Sequence, residues 1–239
     1  MTRHLKGYKA PRTWKLPRKA KVWTIRPLPG AHRFESSIPL GLLVRDYLNY
    51  CRTTREARRL IGQGDIKVDG KVAKDYKRPV GFMDVISVEK LNKHHRVLFD
   101  ERGKITLIEI PAANAQWKLV RVQNKRNIKG GHIQLNLHDG RNIEVNREIY
   151  KPGDVLKIRL PGQEIFTDNG HFPLKEGYRA MVIAGKHAGQ QVVIDSVEVV
   201  KSSRPNRVHF KEGFSTILEY TFIIGAKLPE IKTVQGVDA

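Results

Sequence analysis

Apolar positions recur at two periods along this chain. After Pro39, Leu42, Leu43, Tyr47, Leu48 and Cys51 fall three to four residues apart, the spacing of one apolar helix face. A second helix is predicted directly behind it. Thr53 and Glu56 have the spacing of a capping box. Ala57, Leu60 and Ile61 share one face of the run that follows, and Arg55, Arg58 and Arg59 share another. Gly62 and Gly64 supply the stop. The period then shortens to two. Ile66-Lys67-Val68-Asp69-Gly70-Lys71-Val72 alternates around Asp-Gly, a strong signal for a two-residue hairpin. Ile66, Val68 and Val72 are expected to face the core, with Lys67 and Lys71 facing out. Val80, Phe82, Val85 and Val88 predict a further short strand.

From about residue 94 the pattern is one of short strands and turns. Ile105–Ile110 is apolar with few breaks. His132–Leu137 alternates into a second Asp-Gly signal at Asp139-Gly140 and returns through Asn142–Val145. The turn Lys151-Pro152-Gly153-Asp154 leads into a strand, Val155–Leu160, which Pro161-Gly162 ends. Two more strands, Ala180–Ile183 and Val192–Ile194, flank Gly185-Lys186-His187-Ala188-Gly189. Residues 1–36 follow neither period. Pro11, Pro17, Pro27 and Pro29 forbid a continuous helix, and apolar residues are too sparse for a core of their own.

Charge changes this picture. The 239 residues carry 44 Lys and Arg against 24 Asp and Glu, a formal net charge of +20. Self-repulsion of that size favours a polyanionic partner, nucleic acid before an anionic membrane surface. The excess is uneven. Residues 1–36 hold ten Lys and Arg against one acid, Glu35, while the last quarter is nearly neutral. In the first segment the cations alternate with Tyr8, Trp14, Trp23 and Phe34, rings that can stack on bases while Lys and Arg neutralise phosphates. A disordered tail or a transit peptide is the competing reading. The prolines and the lack of any Ser before Ser36 favour a polyanion-binding arm that orders on its partner. Three arginines on one helical face repel one another in water and become favourable beside phosphates. A further cluster, Lys118, Arg121, Lys125, Arg126 and Lys129, is equally consistent with a second RNA contact and with a solvated loop.

The run from Thr53 to Val72 resembles the S4-type RNA-binding domain. Thr54, Arg55, Ala57, Leu60, Ile61, Gly64, Val68, Asp69 and Gly70 occupy positions of that family's pattern. The resemblance implies a basic surface offered to structured RNA by the arginine-bearing helix and the hairpin, and carries that role to Arg55, Arg58, Arg59, Lys67 and Lys71. The segment Tyr178–Ile194 resembles the KOW motif of SH3-like barrels, with Gly185 and Gly189 as its loop glycines. Ala188 stands where that family often has Lys, which leaves Lys186 as the loop cation. With so little charge in this quarter, both glycines are expected to serve mainly the turn.

The order of arm, S4-type domain, β domain and KOW segment, with the closing strand Phe222-Ile223-Ile224-Gly225, resembles one family along the whole chain. It is the archaeal and eukaryotic small-subunit ribosomal protein S-four-e family. The lack of a eukaryotic C-terminal lengthening points to an archaeal member. The expected architecture is α+β and multidomain: a basic extended arm at 1–36, an S4-type domain at 37–104, a central β domain at 105–173 and a KOW barrel at 174–239. The resemblance implies a non-catalytic constituent of the 30S subunit in the cytoplasm, contacting 16S-type ribosomal RNA and neighbouring small-subunit proteins. The candidate RNA contacts are Lys6, Lys9, Arg12, Lys15, Arg18, Lys19, Lys21, Arg26, Arg52, Arg55, Arg58, Arg59, Lys67, Lys71, Lys74, Lys77, Arg78 and Lys186.

Enzymatic chemistry finds little support. One cysteine, Cys51, rules out a disulfide framework and a four-thiolate zinc site. Neither a metal-binding His-x-x-x-His or Cys-x-x-Cys pair nor a nucleophile elbow occurs, and Lys186-His187 breaks any phosphate-binding loop reading. No cofactor or small-molecule substrate is expected, and no apolar run approaches the ~20 residues of a membrane span. The alternatives kept are an RNA-modifying enzyme, since S4-type domains occur on such enzymes, and a KOW-type transcription factor.

Overall fold

The structure is a computed structural model that describes residues 4–128, 130–146, 149–167, 169–226 and 228–231. It divides into two compact units. The first comprises Met1–Leu98 with Lys104–Lys118, and the second Phe99–Gly103 with Leu119–Ala239. Among the described residues the chain is predominantly β. Apart from short 3₁₀ turns, the helical share of an α+β chain narrows to Thr54–Gly62 and a short turn over Leu40–Leu42 that widens to π-type over Leu43–Tyr47.

In the first unit, Lys71–Val72, Ile66–Val68, Val85–Val88, Lys93–Phe99 and Ile105–Ile110 form one five-stranded sheet, in that order. Positive φ at Asp69 (52°) and Gly70 (75°) makes the hairpin turn the type whose twist suits two antiparallel strands. Val68 then pairs with Lys71, and Lys67 with Val72. This corrects one expectation. A two-residue turn places Val72 on the face of Lys67, so Val72 is exposed while Ile66 and Val68 are buried. Leu40, Leu42, Leu43, Val44, Ala57 and Ile61 pack the helical side.

The arm packs on this unit. Trp14 is only 2% exposed; its Nε1 donates to the Ser37 carbonyl at 2.6 Å, and its ring meets Phe34 edge-on. Ile105 N donates to Thr13 O at 2.7 Å, and Lys15 N to the Tyr47 hydroxyl at 2.8 Å. Sparse apolar residues suffice because their core is borrowed from the neighbouring domain.

A buried ionic cluster ties the same unit together. Lys118, fully buried, donates to Asp69 at 2.7 Å and Asp84 at 3.0 Å, and His32 of the arm meets Asp84 at 2.9 Å. Burial alone would raise the Asp84 carboxyl. The His32 and Lys118 charges and the hydrogen bonds from His32 and Gly81 N outweigh it and hold the group well below the usual carboxylate range.

In the second unit one sheet runs Asn142–Val145, Ile133–Leu137, Trp117–Asn127, Val155–Arg159, His171–Phe172. Val120, Val122, Ile133, Leu135, Leu137, Leu156 and Ile158 form its core. The second Asp-Gly signal closes a longer loop than the first. Gly140 N bonds to Leu137 O, Leu137 N bonds to Arg141 O, and Gly140 alone takes positive φ. The other sheet runs Ser215–Ile217, Arg207–Phe210, Gln191–Glu198, Arg179–Val182, Thr221–Gly225. Arg121 links the two sheets, donating to the carbonyls of Glu219 at 2.6 Å and Thr221 at 3.0 Å.

Candidate nucleic-acid interface

The helix Thr54–Gly62 starts where the capping pattern places it. Thr53 Oγ1 accepts from Glu56 N at 3.2 Å, and Glu56 Oε2 accepts from Thr53 N at 3.3 Å and Arg52 N at 2.9 Å. The hydrogen bond from Arg52 N, then those from Thr53, lower the Glu56 carboxyl below its ordinary value. The one acid of this helix is thus turned back to its own N-terminus. Ala57 and Ile61 bury one face, and Arg55, Arg58 and Arg59 stand exposed on the other. Arg58 lies 5.7 Å from the centre of the Tyr76 ring, and Lys77 lies 5.6 Å from it. Tyr76 was missed by sequence reasoning; a tyrosine flanked by Asp75 and Lys77 gives no periodic signal.

Most of the other candidate cations are where a polyanion can reach them. Lys6, Lys9, Arg12, Lys15, Lys19, Lys21, Arg52, Lys71 and Lys74 are exposed, while Arg18, Arg26, Lys77 and Arg78 are half-buried. Lys67 is ion-paired with Glu89, so a phosphate there must compete with that carboxylate. The backbone at Lys77 and Arg78 receives amides from Leu28 and Leu40, which fixes the arm beside the S4-type region. All of these belong to the first unit; Lys186, exposed on its loop, belongs to the second.

The cluster at residues 118–129 resolves unevenly. Lys118 and Arg121 are taken up by partners inside the fold. Lys118 is sealed against two aspartates, and Arg121, its pKa lowered by burial, holds backbone carbonyls. Lys125 is half-buried, Arg126 is exposed, and Lys129 lies outside the described residues. The Gly185–Gly189 loop shows the turn role expected of its glycines, with φ of 92° and 82°. His187 stacks on Phe214 at 4.0 Å, and Gly189 presses on the Asp100 backbone.

An arginine-faced helix, a basic hairpin and a basic arm folded into one unit define a multidomain, mostly β protein built around an S4 domain. Comparison with known proteins narrows the class. Residues 1–35 match the RS4NT (NUC023) domain, residues 46–86 the S4 domain, and residues 91–165 the Ribosomal family S4e. The chain is 45% identical to the small ribosomal subunit protein eS4 of Methanocaldococcus jannaschii, over 96% of this chain and 97% of that one. It is 44% identical to the protein of the same name from Desulfurococcus amylolyticus, over 98% and 97%. The crystal structure of the 30S ribosomal protein S4e from Thermoplasma acidophilum superposes with a TM-score of 0.72 at 36% identity, covering 82% of this chain and 99% of that one. The chain belongs to the ribosomal protein S4e family.

Proposed function

We propose that this chain is a structural constituent of the small ribosomal subunit that binds 16S-type ribosomal RNA through its arm and S4-type domain. The observation that carries this reading is the Thr54–Gly62 helix. Its three arginines are exposed on one face while its single acid is occupied in the cap. In this reading phosphates run past Arg55, Arg58 and Arg59 and are met by Lys71 and Lys74 of the hairpin and by the cations of the arm. The division at 1–36, 37–104, 105–173 and 174–239 is part of the proposal, with an SH3-like KOW barrel in the last segment. So are a non-catalytic role, neighbouring small-subunit proteins as partners, and a place on the ribosome in the cytoplasm. The names of its relatives support the structural role and the place on the small ribosomal subunit.

The test has two arms. Detected in a lysate fractionated on a sucrose gradient, the protein is expected to travel with the small subunit through a high-salt wash. The Arg55→Glu, Arg59→Glu variant is expected to keep its helix by circular dichroism and to lose at least tenfold in affinity for small-subunit RNA at matched salt. Residence in the light fractions would overturn the ribosomal assignment in favour of an RNA-modifying or transcription-linked factor. Unchanged affinity would overturn the arginine face.

A further inference from the structure

The arm carries an exposed feature that phosphate binding alone does not explain. Of the three tryptophans, Trp14 is 2% exposed and Trp117 8%, whereas Trp23 is 56% exposed and Tyr8, nearby, is 60% exposed. Neither ring is loose. Trp23 lies on a short strand paired with Leu5–Lys6, in register with Lys6. The Lys6 ammonium lies 5.8 Å from the Trp23 ring centre and 6.0 Å from that of Tyr8, and Lys9 lies 5.9 Å from Tyr8. The strand pair is continued by Gly7 N donating to Val22 O at 2.9 Å. A side chain at Gly7 would strike the Lys21 carbonyl at 2.6 Å. The two rings are therefore held at the surface by the strand pairing, with the Lys6 ammonium over one face of each and the His4 ring edge-on to Trp23. Trp23 and Thr24 line a small pocket with Leu16, Pro17, Arg18 and the ion-paired Arg45 and Asp46. The Thr24 hydroxyl there is shielded from solvent and has no hydrogen-bond partner.

We propose that Tyr8 and Trp23 are a stacking platform for unpaired bases of the bound RNA. This rests on the RNA reading above and adds the kind of RNA that this part of the surface takes: a single-stranded loop or bulge, not the backbone of a duplex. Two arguments select that occupant. Paired bases hide their faces in the helix, so exposed rings gain nothing from a duplex, whereas an unpaired base offers a flat π-surface to each. Lys6 and Lys9 at the rings and Lys21 of the pocket are exposed, Glu35 is the one acid of residues 1–36, and Asp46 of the pocket is ion-paired with Arg45, so the occupant is anionic.

Because Trp23 is the exposed tryptophan, its emission reports on the site. The full-length protein is titrated at low salt with an unstructured oligouridylate and with a fully paired hairpin RNA of equal length. Affinity is measured in parallel by filter binding. The single strand is expected to quench the acrylamide-accessible emission, and the duplex to bind without quenching it. Trp23→Ala is expected to lose roughly five- to a hundredfold in affinity for the single strand, the range of one base–aromatic stack, with duplex affinity unchanged. Trp23→Phe, which keeps a stacking face, is expected to retain most of it. The buried Trp14 and Trp117 emission verifies the fold of each variant. Binding of the single strand without a quench, or with equal affinity in Trp23→Ala, would overturn the platform and leave the RNA reading standing. Failure of the single strand alone to bind would overturn the platform, and failure of both RNAs would overturn both readings. Quenching by duplex as strongly as by single strand would also sink the proposal.

Discussion

Lys118 shows how far a single side chain can stand from its reading in sequence. Its neighbours in the chain, Trp117 and Leu119, are apolar, and cations follow at Arg121, Lys125 and Arg126, a pattern that reads as the edge of a basic loop. In the fold it is wholly buried, and its ammonium joins Asp69 in the hairpin turn to Asp84 beyond it. Those residues are far apart in sequence, so no local pattern could announce the cluster. The pair need not make the fold more stable than an apolar core would, because desolvation offsets much of the attraction. Removing one partner is another matter, since it leaves uncompensated charge in a dry site. Lys118→Met leaves two aspartates facing each other, and is expected to lower the unfolding free energy by about 3–5 kcal/mol. Urea denaturation measures this directly. A loss under ~1 kcal/mol would mean that water reaches the aspartates.

At the scale of elements, the loop Gly185–Gly189 makes a sharper prediction than its two glycines suggest in sequence. Both have positive φ, at 92° and 82°. They differ in what surrounds them. A Cβ on Gly185 would sit 3.6 Å from the Tyr220 ring, an ordinary contact, whereas one on Gly189 would lie 2.3 Å from the Asp100 carbonyl oxygen. Gly185→Ala is expected to cost about 1–2 kcal/mol, the strain of the left-handed region alone. Gly189→Ala adds a backbone clash and is expected to cost at least ~2 kcal/mol more. Thermal unfolding of the two variants side by side tests the ordering; equal losses would contradict it. The elements themselves were largely legible. The capping box, the strand Ile105–Ile110 and the apolar face of Ile133–Leu137 follow from local chemistry, which sequence displays. What was not legible depends on partners. Val72 turned outward because the turn, not the alternation, fixes register, and Trp14 was buried by residues distant from it in sequence. Of the interface, the arginine face could be read from its spacing. The pairing of Lys67 with Glu89 and the ring of Tyr76 beneath Arg58 could not.

For the whole molecule the governing quantity is a net charge of +20, concentrated toward the front of the chain. The fold offsets little of it there. The acid of the arginine helix is held in its cap, and the aspartates that pair in the first unit's core take up a buried lysine and a histidine, not the surface cations. The exposed excess therefore remains available to phosphates, and binding should release condensed counterions in proportion to the number neutralised. For ~8 phosphates, log K should fall with log salt at a slope of about −6 to −7. The Arg55→Glu, Arg59→Glu variant should flatten that slope by roughly two contacts' worth. Trp23→Ala should lower affinity without changing the slope, because stacking releases no counterions. That contrast separates the two parts of the surface within one titration series. A slope near −1 for the unaltered protein would mean that the basic excess is not what holds the RNA. A parallel flattening in Trp23→Ala would mean that the platform acts by positioning lysines and not by stacking.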